Sequence, residues 1–285
     1  MSALFGANYV VSKVALREVT PLDLVAIRTT GTAAILFVGL RLMRPDPGAQ
    51  SQPISKADMG RLFLYSLLGV SINQLCFLEG LSRSTATNAS VMLVSIPLLT
   101  LVFAVLLGRE RATKVGVLGI VTGLAGALLL VLPQGEVDIS SRAATGNLFL
   151  LAGGASYALY LVLTRPILSR QPPLRVISWV FLFAALTVVP FGWSGTREVL
   201  ATGVSGAGLA SIAYVVIGGT VLPYLLNNWA LVRARSSLVA VYVLMQPLFA
   251  GSLARIFLGE RLVPNTAVAA ALVVTGVVLS GWRRN

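Results

Sequence analysis

The sequence predicts an all-α integral membrane protein: ten transmembrane helices, arranged as two inverted-topology five-helix repeats around a central cavity. Three observations predict it. Of 285 residues, 56% are hydrophobic and only 11% are charged, whereas soluble domains are about a quarter charged. The apolar residues fall into ten runs, most near the ~20 residues that a bilayer core about 30 Å thick demands. Finally, a gapless offset of 150 residues lays the end of the first half of the chain on the end of the second.

The runs, in order, are 3–17, 22–42, 59–80, 86–107, 115–132, 146–168, 176–193, 206–231, 237–258 and 265–282. The first is short. It lacks the basic leader and small-residue cleavage site of a signal peptide, so it reads as a true span. Between the second and third, residues 41–61 carry Pro45, Asp46, Pro47, Gly48 and Pro53 and read as a longer polar loop. No connection could hold a soluble domain. The fourth and ninth runs contain Pro97 and Pro247, each of which frees a backbone carbonyl and serves either as a fixed kink or as a gating hinge. The fifth and tenth carry Gly119, Gly123, Gly126, Ala269 and Gly276, small residues that let backbones pack closely.

Charge gives an orientation. Lys and Arg total 22 against 10 Asp and Glu, a net charge of +12. The basic residues are scattered between apolar runs rather than gathered on a polar face, so nucleic acid is not the expected partner. With the N-terminus inside, fourteen of them fall on inner loops (Arg41, Arg44, Lys56, Arg61, Arg109, Arg111, Lys114, Arg165, Arg170, Arg175, Arg233, Arg235, Arg283, Arg284). Five fall outside (Arg17, Arg83, Arg142, Arg197, Arg261), and Lys13, Arg28 and Arg255 lie within spans. Positive charge stays in the cytoplasm, which predicts a multi-pass inner-membrane protein with both termini cytoplasmic.

At the offset of 150, Leu81 meets Leu231, Arg83 meets Arg233, Thr87 meets Ser237, Pro97 meets Pro247, and Glu110-Arg111 meets Glu260-Arg261. Gly6-Ala7-Asn8-Tyr9 matches Gly154-Ala155-Ser156-Tyr157 at an offset of 148. The units read as residues 1–133 and 145–285. Five helices is an odd number, so the second unit enters the membrane from the opposite side. Such inverted repeats give alternating access a physical basis.

These residues carry a resemblance. Two five-helix halves, each closing on a short Gly-Glu-Arg loop (Gly108-Arg109-Glu110-Arg111 and Gly259-Glu260-Arg261), are similar to the drug/metabolite transporter (DMT) superfamily, above all to its ten-helix EamA-type branch. Gly6-Ala7-Asn8 with Lys13, Pro21 with Arg28, and the paired prolines Pro97 and Pro247 fit the same resemblance. It implies export of small metabolites, with exporters of amino acids, aromatic ones included, among its members. The superfamily's small multidrug exporters use a glutamate in helix one for proton coupling. Helix one here offers Asn8, Ser12 and Lys13 instead.

Polar groups in lipid are costly and usually face a bundle interior or a wet cavity. They concentrate on helices one, three, four, six, eight and nine. The expected cavity residues are Asn8, Tyr9, Gln74, Phe77, Met92, Tyr157, Tyr224, Asn228, Tyr242 and Gln246. Asn73 and Asn227 stand beside them in sequence. For each the alternative is plain interhelical hydrogen bonding. Helices two, five, seven and ten are expected to support the wall. The expected gating residues are Pro97, Pro247, Lys13, Arg255 and Glu79. Lys13, Arg28 and Arg255 are each placed within one or two turns of the outer surface, where snorkelling, or pairing with Glu79 or Asp23, can satisfy them; the sharper expectation is that one of them binds a substrate carboxylate or latches the outer gate.

The expected partners are a small-molecule substrate, an amino acid or similar metabolite, and the lipid bilayer; one chain holds both halves, so a monomer suffices. No cofactor or metal is called for. The chain has no histidine and one cysteine, Cys76, so Ser-His and Cys-His nucleophiles and His-ligated zinc are absent. An enzyme is not expected. A nucleotide-sugar or other anionic-metabolite carrier, or a proton-coupled drug exporter, stays open as an alternative.

Overall fold

A computed structural model describes residues 1–42, 53–84, 89, 92–131, 141–246, 249 and 266–281. Pro247, Arg255 and the Glu260-Arg261 turn lie outside the described residues, as does the side chain of Tyr9. No strand occurs among the described residues. Ten helical rods do: α1 Ser2–Ala15, α2 Pro21–Leu42, α3 Lys56–Arg83, α4 Ile96–Leu106, α5 Lys114–Val131, α6 Ser141–Leu168, α7 Pro173–Thr202, α8 Gly206–Arg233, α9 Ser236–Met245 and α10 Thr266–Gly281. Five of them contain stretches long and apolar enough to cross a membrane, and α4, α5, α9 and α10 are shorter apolar helices. This is an all-α membrane protein. Its outer face agrees: Leu42, Leu106, Leu148, Phe191 and Leu209 are exposed, as side chains solvated by lipid rather than water should be.

Local chemistry sets several helix starts. The Ser55 hydroxyl accepts from Asp58 N at 3.0 Å and opens α3. Ser205 does the same for α8 through Gly208 N, also at 3.0 Å. Each satisfies an amide that would otherwise lack a partner. Thr20 precedes Pro21 and exchanges bonds with Asp23, a reciprocal cap on α2. α4 stops at Gly108, whose φ of 63° is left-handed. From there Arg109 N and Glu110 N both turn back to the Ala104 carbonyl. A glycine is required for that reversal, and it folds Glu110 beneath the bundle.

The helices differ from the expected runs in informative ways. α7 runs through Pro190 and continues nine residues past 193, because polar residues such as Arg197 and Glu198 still favour helix beyond the apolar stretch. α3 and α8 each contain a π-turn, at Leu67–Ile72 and Ile217–Val221, starting 150 residues apart. α4 begins at Ile96 only after a turn at Val94-Ser95, and α9 tightens to a 3₁₀ form over Tyr242–Met245. These breaks also fall at matching positions.

The packing follows a simple scheme. α3 lies on α6 and α1 on α8; α2 pairs with α7, α5 with α10, and α4 with α9. Exchanging the first five helices for the last five leaves this scheme unchanged. Glycines permit the close crossings. On α5 and α10, a Cβ at Gly276 would stand 2.5 Å from Gly123 Cα, and one at Gly126 would stand 2.7 Å from the Ala269 carbonyl. Across α3 and α6, a Cβ at Gly80 would stand 2.7 Å from the Gly146 carbonyl. Between these pairs sits a ring cluster centred on Tyr224, with Phe181 at 5.0 Å, Tyr157 at 6.1 Å and Phe5 at 6.4 Å between centroids.

Candidate functional site

A cavity of about 80 Å³ lies where the rods converge. α1 contributes Phe5 and Asn8, and α3 contributes Asn73, Gln74 and Phe77. Leu93 and Ile96 come from the two sides of the break before α4. α6 brings Tyr157 and Leu161; α8 brings Tyr224 and Asn227; α9 brings Val239, Ala240 and Val243, with Gln246 just beyond it. The wall is largely apolar with a few amides, a common composition for a small-ligand site.

Of the expected cavity residues, Asn8, Gln74, Phe77, Tyr157, Tyr224 and Gln246 are brought together on this wall. Asn8, Gln74, Tyr157, Tyr224 and Gln246 are buried. The Tyr224 hydroxyl donates to the Gly69 carbonyl at 2.8 Å, in the π-turn of α3. Asn73 donates to the Gly153 carbonyl on α6 at 2.9 Å. Gln74 Oε1, Asn8 Oδ1 and Asn227 Nδ2 find no partner among the described residues, while the Gln74 amide nitrogen stands against the Tyr224 hydroxyl. A buried amide left unpaired costs on the order of 1–3 kcal/mol, so three such groups around one cavity call for an occupant.

Three other expected cavity residues lie elsewhere. Asn228 is buried but turned away; it accepts from Tyr160 at 3.4 Å and donates to the Tyr224 carbonyl at 2.9 Å. Its neighbour Asn227 faces the cavity instead. Tyr242 is 42% exposed and off the wall. In an α-helix Tyr242 and Gln246 would share a face, but the 3₁₀ turn steps about 120° per residue and separates them. Met92 packs against the main core rather than lining the cavity.

The expected gating residues are also placed. Lys13 donates to the Ser84 carbonyl at 3.1 Å and ties α1 to the end of α3. Glu79 pairs with Arg83 one turn along α3. Pro97 sits in the first turn of α4, immediately after the break, rather than inside a continuous helix; there its missing N–H costs nothing.

Arg28 is 3% exposed rather than reaching outward, and lines the cavity from α2, a helix expected only to support the wall. Nε and Nη2 donate to Thr220 Oγ1 at 3.1 and 2.8 Å, and Nη2 reaches the Gly219 carbonyl at 3.4 Å. Both partners belong to the π-turn of α8. The packing of α2 against α8 holds Arg28 at the cavity wall. A charge inside a membrane helix bundle is costly, which makes Arg28 a candidate site residue.

Comparison with known proteins decides the family. The EamA-like transporter family matches residues 1–132 and 144–282. The chain belongs to that family. This EamA-like transporter is 27% identical to a WAT1-related protein of Arabidopsis thaliana, over 99% of this chain and 79% of that one. It is 24% identical to an uncharacterized transporter of Archaeoglobus fulgidus (97% of this chain, 93% of that one). It is 26% identical to the uncharacterized transporter YwfM of Bacillus subtilis (96% and 89%). A crystal structure superimposes on the EamA-like transporter with a TM-score of 0.74 at 20% identity, over 98% of this chain and 93% of that one, a likeness of fold. The chain is therefore a membrane transporter of the DMT superfamily.

Proposed function

We propose that this EamA-like transporter exports amino acids or closely similar small metabolites across the cytoplasmic membrane. It works as two units, residues 1–133 and 145–285, of opposite orientation, with both termini in the cytoplasm. The observation that carries this reading is the central cavity, whose apolar and aromatic wall holds Asn8 Oδ1, Gln74 Oε1 and Asn227 Nδ2 without a partner among the described residues. Amides supply both donors and acceptors, which suits a zwitterionic head. The rings and Leu161 suit an apolar side chain.

Alternating access needs points where rods bend. The π-turns of α3 and α8, the break before α4 and the 3₁₀ turn of α9 supply them in matched pairs beside the cavity. Pro97, its counterpart Pro247, and the cations Lys13 and Arg255 with Glu79 act as gating elements in this reading. One chain is sufficient. Proteoliposomes loaded with each of the standard amino acids, with nucleotides and quaternary amines as controls, test the proposal. Efflux confined to amino acids supports it; movement of the controls alone overturns the substrate class.

A further inference from the structure

We propose that Arg28 is the carboxylate anchor of the cavity, the group that selects an acid over its neutral or amine counterpart. The inference deepens the export reading above and rests on it for the identity of the cargo. Arg28 lines the cavity, and among the described residues its hydrogen-bond partners are neutral: the Thr220 hydroxyl and the Gly219 carbonyl. The ion pairs of the described residues lie elsewhere, on Asp58 and Glu79. Nη1 makes no hydrogen bond among the described residues. The guanidinium is thus held by two of its nitrogens and offers the third, with its full charge, to whatever enters.

The holder is built for this. In the π-turn of α8, Thr220 Oγ1 donates to the Val215 carbonyl at 2.6 Å, so its lone pairs face Arg28. Gly219 lacks a side chain where Asn8 packs; a Cβ there would collide with the Asn8 carboxamide. Asn8 Oδ1 therefore stands at the same corner as the guanidinium, without a partner of its own. A planar guanidinium matches a carboxylate geometrically as well as electrically. Asn227 Nδ2 is a further unpaired donor on the cavity wall, and the Asn8 and Gln74 oxygens are unpaired acceptors suited to an ammonium. Phe5, Phe77 and Leu161 leave an apolar remainder for the side chain.

The test is ligand-induced thermal stabilisation of the purified full chain, with two matched series. These are leucine and phenylalanine, their carboxamides, their decarboxylated amines, and their deaminated acids. The wild type should bind the amino acids at least tenfold more tightly than the carboxamides or amines, the range expected of a hydrogen bond to a charged group. Arg28→Gln should bring the acid-to-amide ratio close to one. Arg28→Lys, which keeps the charge but loses the fork, should retain part of it. A purely structural role for Arg28 predicts that all ligands weaken together with the ratio unchanged, and that result overturns the anchor. So does a wild type that binds carboxamides or amines as well as acids, an outcome that reads out even if Arg28→Gln fails to fold. If the deaminated acids bind through Arg28 while amino acids neither bind nor move, the anchor stands and the amino-acid reading falls. If nothing in either series binds, both fall.

Discussion

The Glu110 carboxylate holds the first turn of α9: Ser237 N donates to Oε1 at 3.3 Å and the Ser237 hydroxyl donates to Oε2. The two residues come from opposite halves of the chain, and Glu110 is buried. A carboxylate at a helix N-terminus satisfies an orphan amide and faces the positive end of the helix dipole. Glu110→Ala leaves that amide and hydroxyl unpaired and should lower stability by about 1–3 kcal/mol. Glu110→Gln keeps an acceptor and should lose less. Thermal unfolding in detergent measures both, and equal midpoints for the wild type and Glu110→Ala would contradict the assignment.

A second carboxylate links the halves at an exposed position. Glu18, on the turn after α1, accepts from the Ser205 hydroxyl at 2.5 Å and from Ser205 N at 2.7 Å, at the start of α8. The Ser205 hydroxyl first, and then its amide, hold the Glu18 carboxyl below its ordinary value. A carboxyl depressed by folding adds stability above the ordinary carboxylate range, near 4.3. That contribution is lost as pH falls through the depressed value. The gap in unfolding midpoint between the wild type and Glu18→Gln should therefore be open at pH 7 and close as pH falls below about 4. A gap independent of pH would show that the contact contributes nothing through ionisation.

The α5–α10 crossing makes a packing prediction. Gly119 and Gly123 contact Gly276 so closely that a methyl group at Gly276 would stand 2.6 Å from the Gly119 carbonyl. Backbone cannot retreat as a flexible side chain can. Gly276→Ala should cost about 1–3 kcal/mol, the usual range for overpacking. Gly39→Ala, where a Cβ meets nothing within 4 Å, is the matched control. Unfolding midpoints compared between the two variants decide it; an equal effect would mean that the crossing tolerates expansion.

What the sequence disclosed and what it hid follow from one physical distinction. Hydropathy and small-residue spacing report on averages over a helix, so the ten rods and the Gly119, Gly123, Gly126 and Gly276 contacts were legible. Which side of a rod faces the centre depends on local pitch, and pitch is not written in composition. The π-turns at Leu67–Ile72 and Ile217–Val221 shift the register of everything after them relative to what precedes them, and beyond the second one Tyr224 and Asn227, an i, i+3 pair, share the cavity face. Arg28 stood open between snorkelling and carboxylate binding for a related reason: its distance from the end of an apolar run gives depth along one axis and no information about what packs against it.

The same distinction makes the sharpest mutational contrast. Tyr242 and Gln246 stand four residues apart, the spacing that places two side chains on one face of an α-helix. The 3₁₀ turn between them leaves Gln246 buried on the cavity wall and Tyr242 half in the open. Gln246→Ala removes a polar group from the wall and should lower flux of the transported substrate about fivefold to tenfold, the equivalent of one hydrogen bond of roughly 1 kcal/mol. Tyr242→Ala should leave flux within twofold of the wild type, since Tyr242 is not on the wall of the central cavity. Both variants go into the same vesicles at matched protein density. A loss with Tyr242→Ala equal to that with Gln246→Ala would mean that α9 runs as a regular α-helix in the transporting state, and that the 3₁₀ turn belongs to only one of the conformations through which substrate passes.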